Sequence, residues 1–101
     1  MAAVDTNPAY IRLTLSRAEL LTLLAEEAAE LSQAALKLRR AETGTNPTPV
    51  PAATAAEHLI EEISDVSLVL QILKLEPDPE TVHRKLHRWA TRLRERSNYG
   101  R

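Results

Sequence analysis

Two acidic motifs stand out because each lies inside an apolar stretch that is typical of a helix. Glu26, Glu27 and Glu30 follow one another as Glu-Glu-x-x-Glu, and Glu62 and Asp65 belong to a similar motif further along the chain. Residues three apart on a helix share a face, so Glu27 and Glu30 can point the same way, as can Glu62 and Asp65. The spacing therefore predicts one pair of carboxylates on each of two helices.

Each motif also fills a gap in an apolar stripe at helical spacing. The first stripe has Glu27 in its gap and the second has Glu62. The first stripe consists of Leu20, Leu24, Leu31, Ala34 and Leu38. The second stripe consists of Leu59, Val66, Val69 and Leu73. A carboxylate in a packed stripe loses hydration, which is unfavourable unless a cation or a donor meets it. Four converging carboxylates therefore suggest a hard divalent cation such as Mg²⁺ or Mn²⁺, which prefers oxygen ligands.

A second interpretation of the two motifs stays open. Glutamate is a good helix former, and many Glu-rich helix faces are simply solvated or paired with Lys and Arg one turn away. Short motifs also recur by chance. A solvated acidic surface is therefore the alternative to a metal site.

The composition indicates one small folded domain spanning residues 1–101. Hydrophobic residues make up 44% and charged residues 27% of the chain, as in ordinary folded proteins. Two Gly and no Phe, with many Leu and Ala, predict an all-α fold. The absence of Cys excludes disulfides and thiolate metal sites. Neither a signal peptide nor an apolar run of about 20 residues is evident, so we expect a cytoplasmic protein without a membrane partner.

Caps and prolines bound the helices that must position the motifs. Residues 1–15 are interpreted as an N-terminal arm. Ser16 and Glu19 have the spacing of a capping box, so the first helix is predicted from about Arg17 to about Glu42. Residues 43–53 contain three prolines and are predicted to form the loop between antiparallel helices.

Two further helices are predicted after this loop. Thr54 and Glu57 suggest a second capping box, with a helix from about Ala55 to about Leu75. Asp78, followed by Pro79, has the pattern of a new N-cap, so a third helix should run from Pro79 to about Arg96. Residues 97–101 then form a tail.

The third predicted helix is both amphipathic and basic. Its expected buried face consists of Val82, Leu86, Trp89 and Leu93, and core packing is the preferred role for Trp89. Three helices are too few to bury this much apolar surface against one another. The sequence therefore predicts an antiparallel helical bundle that is completed by homo-oligomerisation, as a dimer or a tetramer.

The acidic motifs resemble the signature of the MazG-like family of all-α nucleoside triphosphate pyrophosphohydrolases, which is E-E-x-x-E followed by E-x-x-D. The resemblance runs from about Leu20 to about Arg96, with a longer gap between the motifs than the compact family pattern has. It implies that Glu27, Glu30, Glu62 and Asp65 hold Mg²⁺, with Mn²⁺ as the alternative ion. It also implies that Lys85, Arg88 and Arg92 bind substrate phosphates and that Glu26 orients water or acts as the base.

The implied reaction is hydrolysis of a nucleoside triphosphate to the monophosphate and pyrophosphate. Phosphoribosyl-ATP is an alternative substrate of the same kind. A non-enzymatic module that binds nucleic acid or protein through the basic last helix is the alternative from another class. That alternative leaves the acids in the apolar stripes unexplained, so nucleic acid is not the expected partner.

Overall fold

The computed structural model of the chain describes residues 3–44 and 50–99, and within these ranges the fold is all-α without a strand. Its four helices are α1 (Pro8–Thr14), α2 (Arg17–Thr43), α3 (Ala52–Leu73) and α4 (Pro79–Tyr99). The prediction of an all-α fold is thus confirmed. None of the helices in the described ranges has both the length and the apolar character needed to cross a lipid bilayer.

Helix α2 begins with the capping box that the sequence predicts. The Ser16 hydroxyl accepts a hydrogen bond from the Glu19 backbone N–H at 3.0 Å, and the Glu19 carboxylate accepts one from the Ser16 N–H at 3.3 Å. Gly44 ends the helix in a left-handed conformation, with φ of 67°, that favours glycine. These local interactions fix α2 as one continuous helix that carries the first acidic motif.

The N-terminal arm contains a helix that the sequence interpretation missed. The Asn7 side chain accepts a hydrogen bond from the Ala9 N–H at 2.9 Å, and Pro8 occupies the first turn, so α1 has an ordinary N-cap. Arg12 Nη1 donates to the Ile72 carbonyl at 3.1 Å, which ties α1 to the end of α3. The predicted N-terminal arm thus includes a short helix over residues 8–14.

Helix α3 starts and ends earlier than predicted. Pro51 is its N-cap residue, without a side-chain capping bond, so the predicted Thr54–Glu57 capping box is wrong. Proline fixes its own φ near the helical value, and the alanines that follow are strong helix formers. The helix ends at Leu73, not Leu75, because Lys74 adopts the left-handed conformation with φ of 58°. Residues 45–49 of the predicted proline-rich loop lie outside the described part of the chain.

The core lies between α2 and α3, which pack antiparallel. Leu20, near the start of α2, is only 1% exposed and belongs to one cluster with Val69, Ile72 and Leu73 near the end of α3. The two apolar stripes predicted from the sequence are buried or half-buried throughout. This packing places Glu27 and Glu62, each half-buried, in the contact zone of the two helices.

Helix α4 begins at the predicted cap but does not form part of this core. The Asp78 carboxylate accepts hydrogen bonds from the Thr81 N–H at 3.1 Å and from the Thr81 hydroxyl, and these bonds lower the pKa of Asp78. The helix continues past the predicted Arg96 to Tyr99, so it takes in part of the predicted tail. No side chain between Pro79 and Ser97 is buried.

The predicted buried face of α4 is therefore wrong within one chain. Val82, Leu86, Trp89 and Leu93 are between 51% and 65% exposed. The physical reason is that α3 stops at Lys74 and a new cap at Asp78 starts a separate helix. No other helix within residues 3–44 and 50–99 covers the apolar face of this helix. The radius of gyration is 18.7 Å, compared with about 13 Å for a compact domain of 100 residues.

Candidate metal centre

Three of the four predicted metal ligands come together where α2 packs on α3. One carboxylate oxygen from each of Glu27, Glu30 and Glu62 lies within 4.8 Å of the other two. Glu27 and Glu30 share a face of α2, and Glu62 reaches them from the facing side of α3. We refer to these three residues as the acidic cluster. Asp65 lies outside it, but its charge acts on both Glu27 and Glu62.

Two oxygens of the acidic cluster are buried without a hydrogen-bond partner in the described part of the chain. They are Oε2 of Glu27 and Oε2 of Glu62. A buried carboxylate oxygen that has lost water and gained no donor destabilises the folded state. Each of these two oxygens thus lacks the cation or donor that would offset its lost hydration.

The protonation of the cluster reflects the same environment. Burial raises the pKa of Glu27 above its ordinary value, and the negative charges of Glu30, Asp65 and Glu62 raise it further. Burial likewise raises the pKa of Glu62, again with contributions from Glu30 and Asp65. Hydrogen bonding to Glu30 also contributes at both residues, and a carboxyl group can donate that bond only when it is protonated. Without a cation, the site favours binding a proton.

The donor set fits a hard divalent cation. Mg²⁺ and Mn²⁺ take carboxylate oxygens as ligands, and the acidic cluster offers three carboxylates from two helices. Such an ion would give the two orphaned oxygens a partner and offset the repulsion among the carboxylates. Glu27, Glu30 and Glu62 are the residues that would hold it, with Asp65 close enough to contribute charge.

The acidic cluster opens into a cavity between the second half of α2 and the first half of α3. The cavity has a volume of about 640 Å³. Glu30, Glu61 and Glu62 line its acidic side, and the remaining polar lining residues are Gln33, Lys37, Arg40 and His58. The site therefore combines carboxylates with cationic side chains in a space large enough for a small molecule.

The sequence interpretation did not single out Lys37 and Arg40. Both are half-buried in the cavity wall. Successive spacings of three, four and three residues separate Glu30, Gln33, Lys37 and Arg40. That periodicity places all four residues on one face of α2. The spacing from Glu30 thus indicates that Lys37 and Arg40 share its face of α2. The cavity itself depends on how α3 packs against this face.

The other predicted site residues lie elsewhere in the chain. Glu26, the predicted water-orienting residue or base, is exposed and lines a separate groove with Leu15 and Ala18, so it does not line the cavity beside the acidic cluster. The three cations predicted to bind phosphate line a groove on α4 together with Trp89. They are Lys85, Arg88 and Arg92, and they do not line the cavity beside the acidic cluster.

The chain matches no family model, no curated protein sequence and no solved structure. The resemblance to the MazG-like family therefore stays a prediction from the two acidic motifs.

Proposed function

We propose that the protein is a divalent-cation-dependent nucleotide pyrophosphohydrolase that cleaves a ribo- or deoxyribonucleoside triphosphate to the monophosphate and pyrophosphate. The observation that carries this proposal is the acidic cluster of Glu27, Glu30 and Glu62, two of whose buried oxygens have no partner among the described residues. The adjoining cavity adds support, because it offers cationic side chains next to the carboxylates.

Mg²⁺ is the preferred ion in this proposal, with Mn²⁺ as a substitute. When bound, it would polarise a phosphoryl oxygen and lower the pKa of a coordinated water. The chain's own contribution is to hold three carboxylates at one point from two rigidly packed helices. Asp65 adds negative charge next to Glu27 and Glu62, which strengthens the attraction for a dication.

The proposal includes a homo-oligomer that covers α4. The apolar face of α4 is more than half exposed, and this helix carries six Lys or Arg but only two acids. Helix α3 carries four acids and no Lys or Arg, and Ile60 and Ile63 are exposed on it. Opposite charge and matching apolar character therefore favour α4 of one copy packing on α3 of another.

In such an assembly, Lys85, Arg88 and Arg92 of one copy can approach the acidic cluster of another. The family resemblance implies that these three cations bind phosphate, and in this arrangement they could do so. Within one chain the same three cations, with Trp89 among them, form an exposed basic groove. That groove is the observation that favours the second candidate, a module that binds nucleic acid through phosphate contacts and stacking.

The test is pyrophosphate release from a panel of ribo- and deoxyribonucleoside triphosphates that includes phosphoribosyl-ATP, with Mg²⁺ or with a chelator. The proposal predicts release that needs the metal and yields the monophosphate as the second product. No release from any compound in Mg²⁺ or Mn²⁺ would contradict it. Salt-sensitive binding of DNA or RNA, without metal binding, would then support the second candidate.

A further inference from the structure

The cavity beside the acidic cluster has a cationic end that the predicted metal ligands do not explain. Lys37 and Arg40 line it from α2, and His58 lines it from α3. Both α2 cations are half-buried, and among the residues that the structure describes neither forms an ion pair. A Lys or Arg side chain that is partly shielded from water is stabilised by an anionic partner. Their free charge next to a cavity points to an anionic ligand.

The geometry of α2 directs these cations toward the acidic cluster. Helical side chains lean toward the N-terminus of their helix. Lys37 and Arg40 lie C-terminal to Glu30 on the same face, so we expect their long side chains to lean toward it. A rise of 1.5 Å per residue puts the backbone of Lys37 about 10 Å and that of Arg40 about 15 Å beyond Glu30. The cavity thus has an acidic end and a cationic end along one helix.

This separation matches the needs of a metal-bound polyphosphate. A polyphosphate alone would be repelled by Glu30, Glu61 and Glu62, which form the acidic side of the cavity. A cation in the acidic cluster offsets that repulsion at one end. The phosphate oxygens that the cation does not reach then need donors at the other end. A guanidinium offers a planar fork that suits phosphate, and an ammonium offers a compact charge.

We propose that Lys37 and Arg40 form the polyphosphate subsite of the acidic cluster, so that the same chain supplies both the metal ligands and the phosphate-binding cations. This inference rests on the function proposed above and adds the chemical class of the ligand at this end of the cavity. It differs from the expectation that Lys85, Arg88 and Arg92 hold the phosphates, because those residues line a separate groove on α4.

The first test is binding of inorganic triphosphate, measured by calorimetry in the presence of Mg²⁺. Arg40→Gln and Lys37→Gln should each weaken binding about tenfold or more, as expected for the loss of a charged hydrogen bond. Arg39→Gln is the matched control, since Arg39 is the exposed neighbour of Arg40 on the same helix and does not line the cavity. It should leave the affinity unchanged. Thermal unfolding of each variant checks that the fold is retained.

A second measurement separates this inference from the proposed function. Binding of Mn²⁺ without triphosphate should be the same in Arg40→Gln as in the unmodified protein, while KM for a nucleoside triphosphate should rise. Turnover with unchanged KM and unchanged triphosphate affinity in both cavity variants would overturn the subsite and leave the proposed function standing. Loss of triphosphate binding in Lys85→Gln/Arg88→Gln, but not in Lys37→Gln/Arg40→Gln, would likewise overturn it. Cavity-dependent triphosphate binding without any turnover would support the subsite and count against the hydrolase.

Discussion

A carboxylate oxygen of Glu27 on α2 lies within 4.8 Å of one from Glu62 on α3, and in both side chains Oε2 is buried without a hydrogen-bond partner among the described residues. The helices that hold these two residues also form the core around Leu20. The backbone segments that carry the two carboxylates therefore cannot separate without disturbing the packing of the fold. The two carboxylates therefore repel each other in the folded protein, and this repulsion should lower the stability of the metal-free form.

The stability of the metal-free protein should respond to pH through Glu27 and Glu62. Because the pKa of each is raised in the folded state, the folded protein holds these protons more tightly than the unfolded chain does. Their stabilising contribution is complete below the ordinary glutamate value of 4.5 and is lost as pH rises through the raised folded value. In EDTA, these two groups should therefore make the protein more stable as pH falls from neutrality toward 4.5.

Two variants isolate this contribution from that of other carboxylates, such as Asp78, whose lowered pKa acts in the opposite direction. Glu62→Gln removes one of the repelling charges, so at neutral pH without metal it should unfold at a higher temperature than the unmodified protein. Glu57→Gln makes the same change at an exposed position of α3 outside the cavity, and should alter little. Equal melting temperatures for the unmodified protein and Glu62→Gln across the pH series would argue against repulsion in the cluster.

Turnover should depend on the second acidic motif. Glu62→Ala and Asp65→Ala are each expected to abolish pyrophosphate release, because the first removes a ligand of the cluster and the second removes a charge that acts on it. Both variants should remain folded by circular dichroism, since Glu62 is only half-buried and Asp65 is exposed. Full activity in both variants would exclude the metal assignment.

The exposed face of α4 should be an interface between copies of the chain. Leu86→Asp is expected to lower the mass measured by analytical ultracentrifugation, because Leu86 lies in the centre of the apolar face and a charge there would be desolvated on association. Leu13→Asp is the matched control, since Leu13 is 87% exposed and lies on α1, not on the apolar face of α4. A monomeric unmodified protein, or an equal mass for Leu86→Asp, would contradict the oligomer.

Local interactions made most of the fold predictable. The capping box of Ser16 and Glu19 and the N-cap of Asp78 depend on neighbours in the sequence, and both form as expected. The early start of α3 was missed because the Thr54–Glu57 pattern was given more weight than Pro51. The packing of α4 could not be predicted, because an amphipathic pattern shows that a helix has an apolar face but not which molecule covers it.

The candidate site was predictable to the extent that it depends on helical periodicity. The gaps in the two apolar stripes placed Glu27 and Glu62 between the helices, and the structure brings them together. Lys37 and Arg40 were missed because their relation to the site depends on the cavity that α2 and α3 enclose. A one-dimensional pattern gives the face of a residue, whereas a cavity depends on how two faces meet.

The most direct measurement of the central claim is a titration of the metal-free protein with Mn²⁺, followed by electron paramagnetic resonance. The account predicts saturable binding at neutral pH that competes with Mg²⁺, is lost in Glu27→Gln and Glu62→Gln, and is retained in Glu57→Gln. It also predicts that binding weakens as pH falls, since protons and the cation compete for the same carboxylates. Absent binding, or equal binding in all four proteins, would contradict the assignment of the acidic cluster as a metal centre.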